Sequence, residues 1–344
     1  MRISIPFLCS AVCLTGIAAG AGNDKPTHQQ IDQNTRLQIF LDNANFGPGK
    51  IDGRQGEFTR KAVALFNQSK GQTNSVPQNP EALIDTTGMD LSSVEPVFIC
   101  YSVTEEDFAN VGELPSGPAS QSKVKRLPYA SVAEAIAEKF HSDLGFLKEL
   151  NPKKLEKLKA GDQVTVPNVK PFELSGVKNL EPGSEAAAIV ANELGEDPST
   201  APAASAGDDA SISIRVSVKD EMLEVHAGDK VVAAFPVTVG SQQTVSPVGK
   251  WKIAAIAKMP NFRYDPKMLK EGERSANFHM LPPGPNNPVG VVWIALNKKG
   301  IGMHGTNDPD SIGRSASHGC IRLANWDIVK LAEIVKRGTS VAVE

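Results

Sequence analysis

Between residues 181 and 211 the chain is made of Ala, Ser, Pro, Gly and acidic residues with no sustained apolar face. Such a stretch cannot bury enough surface to offset the entropy of ordering it, so it reads as a flexible linker. The 344 residues therefore divide into folded units on either side of it, and a multidomain protein is expected, with its last domain over 212–344.

Residues 1–21 carry one positive charge at Arg2, an apolar run from Ile3 to Ala19, and the small-x-small series Ala19-Gly20-Ala21. This is the organisation of a secretory signal peptide cleaved near Ala21. A membrane anchor is the alternative, but Pro6, Ser10, Thr15 and Gly16 interrupt a run already short of the about 20 apolar residues a span needs. The reading implies export across the inner membrane, to periplasm or cell wall, with no stable membrane span after cleavage. Cys9 and Cys13 leave with the signal, since they lack the upstream Leu and adjacent small residues of a lipid-attachment box; Cys100 and Cys320 remain. A net charge of -3 with no basic stretch argues against a nucleic-acid partner.

From Ile31 to Asn43, and again from Phe58 to Phe66, apolar residues recur at helical spacing around the turn-rich loop Gly47-Pro48-Gly49-Lys50-Ile51-Asp52-Gly53. The pattern L-D-x-x-x-F-G-P-G-x-I-D-G-x-x-G-x-x-T-x-x-A-V-x-x-F from Leu41 to Phe66 resembles a small α-helical peptidoglycan-binding domain, placed over 28–70. In the segment 97–170, Ser131 and Glu134 form a capping-box signature ahead of Ala133, Ile136, Ala137 and Phe140 on one face. A short helix to Leu150 and a strand over Gln163–Val166 follow. The run I-A-E-K-F-H-S-D-L-G-F-L-K-E-L-N-P, then A-G-D-Q-V-T-V-P, resembles the latter part of a LysM sugar-binding module, an α+β unit whose usual first strand finds no clear match here.

After residue 211 the period changes to two: Ile212, Ile214, Val216 and Val218 alternate with Ser213, Arg215 and Ser217. Further strands are expected at Met222–His226, Val231–Val239, Lys250–Ala257, Val291–Leu296 and Ser340–Val343. One helix opened by Asn325 has Ile328, Leu331, Ala332 and Val335 on one face and Gly338 beyond its end. The expected domain is mostly β, a sandwich or barrel-like mixed sheet with that helix beside its site.

The stretch G-M-H-G-T-N-D-P-D-S-I-G-R-S-A-S-H-G-C-I-R-L, from Gly302 to Leu323, places two of six histidines and Cys320 close together. A thiolate is a strong nucleophile and an imidazole can generate it and later return the proton, so Cys320 and His304 suffice for acyl transfer. Gly319 permits close backbone approach, and the backbone of His318, Gly319 and Cys320 is the candidate cradle for a developing oxyanion. Three other readings stay open on the residues alone: a Cys100–Cys320 disulfide, zinc bound by the two histidines and the cysteine, and an ordinary buried His304.

H-G-T at His304, a fourteen-residue step to His318, and S-H-G-C-I-R-L resemble the YkuD-type L,D-transpeptidase family. The resemblance extends through Val239-Gly240-Ser241, Ser246 to Lys250, Leu281 to Pro288, and Gly338-Thr339, and so covers about 212–344. It implies Cys320 as nucleophile, His304 as base, the Gly305 carbonyl as the group orienting the base, and His318 as a residue shaping the site. Ser317, Arg322 and Tyr264 are the candidate substrate contacts, Arg322 by pairing with a substrate carboxylate or, alternatively, in a structural ion pair. Tyr264 lies in a Pro- and Gly-dense segment, Lys258 to Gly290, that reads as a lid or as an inert excursion. The implied reaction forms a thioester with a peptidoglycan tetrapeptide stem, releases D-alanine, and transfers the acyl group to an amine of a second stem or of a lipoprotein. It needs no metal or organic cofactor. A hydrolase using the same acyl-enzyme and a non-catalytic peptidoglycan-binding protein are the competing readings.

Overall fold

The computed structural model describes residues 27–72, 82–177, 212–240, 248–271, 273–298, 300–314 and 319–344. The expected signal peptide, the linker, Ser317 and His318 lie outside these residues. No helix among the described residues is long and apolar enough to cross a membrane.

Helix α1 (His28–Asn43) starts at a reciprocal cap: Thr27 Oγ1 accepts the Gln30 N–H at 3.2 Å, and Gln30 Oε1 accepts the Thr27 N–H at 2.8 Å. Helix α2 (Glu57–Ser69) packs against it through Phe40 and Phe66, edge to face at 5.2 Å. The core of this pair is not its own. Leu37, Leu41, Phe46, Ala62, Val63 and Phe66 form one buried cluster with Met222, Val231 and Ala234 of the C-terminal sheet. The backbone joins too, since Gly47 donates to Ala234 O and Ala234 donates to Asn45 O, at 2.8 and 2.9 Å.

In the middle segment β1 (Phe98–Ser102) pairs antiparallel with β2 (Gln163–Pro167). Between them lie two short helices, α3 (Glu105–Ala109) and α4 (Pro118–Gln121), then α5 (Val132–Lys139) and α6 (Leu144–Leu150). Strand β1 is the element with no clear signature in the sequence: F-I-C-Y-S does not alternate cleanly, and neither of its faces is fully buried. Ser131 caps α5 and Asp143 caps α6, each accepting the backbone N–H three residues on.

The C-terminal strands are β3 (Ile212–Ser217), β4 (Met222–Ala227), β5 (Lys230–Pro236), β6 (Gly249–Lys258), β9 (Val292–Leu296), β10 (Gly302–His304), β11 (Ile321–Arg322) and β12 (Ser340–Val343), in the order β11-β10-β9-β6-β12-β3-β4-β5. Strand β6 pairs with β12 through its first half and with β9 through its second, with a register shift between them that lets the sheet turn. Just past β5, Thr238 bridges Arg322 of β11, so the two edges of the order meet and the mixed sheet closes on itself.

Inward-facing Ile214, Val216, Leu223, Val225, Phe235, Ile294, Met303, Ile321 and Val341 fill the closed sheet. Its outer face is covered twice, by α1 and α2 over β4 and β5, and elsewhere by a smaller cluster of Ala255, Ala257, Val289, Trp293 and Ala295. Strand β9 shows why its sequence reads as continuously apolar: Val292, Ile294 and Leu296 enter the inner core while Trp293 and Ala295 enter the outer one.

The segment expected to be a lid or an excursion is structured. It forms the hairpin β7 (Phe262–Tyr264) and β8 (His279–Leu281) with α7 (Pro266–Glu271) between, and Asp265 accepts bonds from Arg263 and from the Ser275 N–H and hydroxyl. Its following loop is gripped by the middle segment: Leu127 N–H donates to Pro283 O at 3.0 Å and Asn286 N–H to Leu127 O at 3.2 Å. Gly284, at φ +148°, is pressed so close that an added Cβ would lie 2.1 Å from the Leu127 carbonyl oxygen. Gly284→Ala is therefore expected to destabilise the protein by about 2–5 kcal/mol through strain and overpacking against backbone, seen as a lower denaturation midpoint.

Helix α8 (Asn325–Ile334) begins where expected, but Ala324 occupies the cap position and Asn325 is already helical. The Asn325 side chain is used elsewhere, as described below.

Candidate functional site

Strands β10 and β11 run parallel, with Met303 opposite Ile321 and His304 opposite Arg322. Met303 and Ile321 point into the closed sheet, so alternation sends His304 to the outer face. There its ring stacks on Trp293, its partner on β9, with centroids 5.3 Å apart and planes 9° from parallel. Cys320 precedes Ile321 and packs against the outer cluster that contains Trp293. Thiol and imidazole are thus brought to one face by pairing of two strands only three and two residues long. The Cys320 side chain is partly exposed, and its Sγ lies 3.6 Å from Gly300 O. Gly319 takes φ +107°, a conformation that favours glycine and turns the chain directly before the thiol.

His304 Nδ1 is 2.6 Å from Gly305 O. A carbonyl only accepts, so Nδ1 carries the proton and Nε2 presents a lone pair. Burial, and then the positive charge of Arg322, push His304 down to about 3, outweighing the Gly305 bond that acts the other way. The ring is neutral at ordinary pH. Arg322 is held by paired backbone bonds with Thr238 at 2.9 Å each way, and its guanidinium reaches Ser311 Oγ at 3.3 Å. Burial lowers its own pKa, while Asp308 and Cys320 act to raise it, so an ionised Cys320 and Arg322 attract.

Of the other expected site residues, Gly305 sits beside His304 and Gly319 beside Cys320. Tyr264 is half-buried on β7, edge to face with Phe262 at 6.4 Å, and Phe262 in turn packs on the outer cluster that Cys320 touches. The disulfide reading does not hold, since neither Cys100 nor Cys320 is in a disulfide and Cys100 is exposed on β1. Among the described residues no three His, Cys, Asp or Glu side chains gather as a potential metal set.

Two residues that sequence reasoning passed over shape the site. Trp293 supplies the stacking wall for His304. Asn325 is wedged against the backbone that orients it: a Cβ on Gly290 or Gly305 would lie 2.1 or 2.2 Å from Asn325 Oδ1. Two glycines near a strand end were the available signal, but nothing local names the side chain that fills the space.

Fold and site together define a mostly β C-terminal domain that sets a neutral imidazole at the end of one strand and a thiol directly before the strand beside it. Residues 211–343 match the YkuD family, the L,D-transpeptidase catalytic domain. A Bacillus licheniformis protein bearing the name L,D-transpeptidase YkuD is 34% identical over 130 residues, 38% of this chain and 64% of its own length. Its Bacillus subtilis counterpart is 33% identical over 130 residues with the same coverage, so the chain spans under two thirds of both. The Bacillus subtilis protein named L,D-transpeptidase YqjB is 30% identical over 133 residues, 37% of this chain and 68% of its own. The chain belongs to the L,D-transpeptidase family.

Proposed function

We propose that this protein is a cysteine-dependent L,D-transpeptidase acting on peptidoglycan stem peptides. Cys320 Sγ attacks the carbonyl joining the third residue of a tetrapeptide stem to its terminal D-alanine, while His304 Nε2 takes the thiol proton. Backbone N–H groups at Gly319 and Cys320, with His318, receive the developing oxyanion. The C–N bond then breaks, His304 returns the proton to the departing amine of D-alanine, and a thioester remains. An amine of a second stem attacks the thioester, losing its proton to His304, and the thiol leaves reprotonated. Arg322, Ser317 and Tyr264 are the proposed substrate contacts.

The observation that carries this reading is the 2.6 Å bond from His304 Nδ1 to Gly305 O, which leaves Nε2 as a proton acceptor on the face that Cys320 shares. Mass spectrometry after incubation with tetrapeptide muropeptides tests it. Crosslinked dimers support the transferase; tripeptides alone indicate a hydrolase, and unchanged substrate a binding protein. The same reading assigns glycan or stem binding to residues 28–70 and 97–170, export to the signal at 1–21, and action in the periplasm or cell wall.

The low pKa of His304 predicts the acid side of the pH profile. An ordinary imidazole would be protonated below about 6.5, costing about tenfold in activity per pH unit. With His304 held near 3, its neutral form persists as pH falls, so kcat/KM is expected to stay level to about pH 5, with loss only below that. A limb centred near 6.5 in a pH–rate series would contradict the burial argument.

A further inference from the structure

We infer that Glu138 on α5, acting through Asn325, is a positioning residue for His304, which makes the middle segment 97–170 a built-in part of the reaction site. The inference rests on the proposed Cys320–His304 chemistry and deepens it.

Asn325 is almost wholly buried, and both ends of its amide are used. Oδ1 accepts the Val291 N–H at 3.1 Å; Nδ2 donates to Glu138 Oε1 at 3.1 Å and to Pro285 O at 3.4 Å. Its Oδ1 occupies the space above Gly290 and Gly305 that any Cβ would need. Gly305 is the residue whose carbonyl fixes the tautomer and aim of His304. A rotated amide would set an N–H₂ group against the Val291 N–H and its oxygen against Glu138 Oε1 and Pro285 O, so the donor on one side and the two acceptors on the other together fix which way Asn325 points. The shorter of the two acceptor contacts is to Glu138, 187 residues away in sequence, on α5.

Glu138 is in turn held by the buried Tyr129, whose hydroxyl donates to Oε1 at 2.9 Å. Tyr129 and Glu134 are the titratable groups facing it. Burial is the main influence on its carboxyl and pushes it up to about 8, against the hydrogen bonds from Tyr129 and Asn325 that favour ionisation. A carboxyl partly withdrawn from water, as that of Glu138 is, is costly to a fold unless its hydrogen bonds are needed, and one of them reaches across to Asn325. A second grip comes from the same segment. Asn286 Nδ2 donates to Pro128 O at 2.8 Å and Glu134 Oε1 at 2.9 Å, fixing the loop that leads into Val289 and the cluster on which Cys320 packs.

The test measures iodoacetamide alkylation of Cys320 against pH in the full chain carrying Cys9→Ser, Cys13→Ser and Cys100→Ser, so that Cys320 is its one thiol, alongside kcat and KM for transfer. Glu138→Ala and Asn325→Ala are expected to slow alkylation at pH 7 and lower kcat by roughly tenfold or more, with KM within about twofold, since a misaimed base costs rate and not binding. Glu138→Gln, whose amide oxygen accepts the same two bonds, should stay within about twofold of the parent. If the alanine variants melt below the assay temperature, Glu138→Met fills the space without accepting a hydrogen bond and is read in the same way. Parent-like rates in folded Glu138→Ala or Glu138→Met would overturn the inference. His304→Ala separates the two levels: if it leaves alkylation unchanged, the Cys320–His304 reading itself fails, whereas an effect of His304→Ala without one at Glu138 or Asn325 removes only the positioning role.

Discussion

Cys320→Ala is expected to leave a folded protein with no measurable transfer, a fall of at least about 10⁴-fold, because the proposed covalent step runs through its Sγ. Serine should rescue almost nothing. A thiol with an ordinary pKa of about 8.5 lies within reach of a weak base, but an alcohol is far less acidic, and His304 near 3 is too weak to deprotonate it. Stability should change little in either variant, since the thiol is partly exposed and its bond to Gly300 O is long. Intact-mass measurement after exposure to a carbapenem reads the same atom: the parent should gain one adduct on Cys320, and Cys320→Ala none. An adduct of equal yield on Cys320→Ala, or transfer within tenfold of the parent, would remove the cysteine from the mechanism.

Removing residues 1–211 should abolish cooperative folding of the remaining domain. A linker-separated catalytic unit would survive such a cut, but here the surfaces exposed are core surfaces. Met222, Val231 and Ala234 lose the cover of Leu37, Phe46 and Phe66; Trp326 loses the His141 ring stacked on it at 5.3 Å; Asn325 loses Glu138. The Lys330 ammonium loses Asp42, a buried carboxylate that Lys330 and His141 hold well below the usual range even though burial opposes this. Stabilities of whole domains are only about 5–15 kcal/mol, and single core truncations already cost about 2–5. The fragment 212–344 is expected to be insoluble, or to lose its near-ultraviolet circular dichroism while keeping secondary structure. A sharp thermal transition within a few degrees of the full chain would show that the interface contributes little.

The elements most legible in the sequence are those whose cause is local. Ser131 announces a helix start because its side chain satisfies an N–H three residues away, and α1 and α2 show in the spacing of their apolar residues. Strands β3 and β12 follow from alternation, and the H-G-T and S-H-G-C-I-R-L segments marked His304 and Cys320 through a family resemblance carried by contiguous residues. Strands β10 and β11 were beyond reach because two or three residues carry no period, and they exist only through their register with β9 and each other.

Sequence alone, then, singled out the candidate residues through contiguous motifs, and determined most of the helices and longer strands, since capping and periodicity are written within a few positions. Tertiary structure alone decided that the helical pair, the middle segment and the closed sheet share cores, that Trp293 and Arg322 set the state of His304, and that Glu138 meets Asn325. Those outcomes depend on surfaces that meet only in the folded chain, from 11 positions apart for Trp293 and His304 to 187 for Glu138 and Asn325, where complementarity of shape and charge exists only after folding.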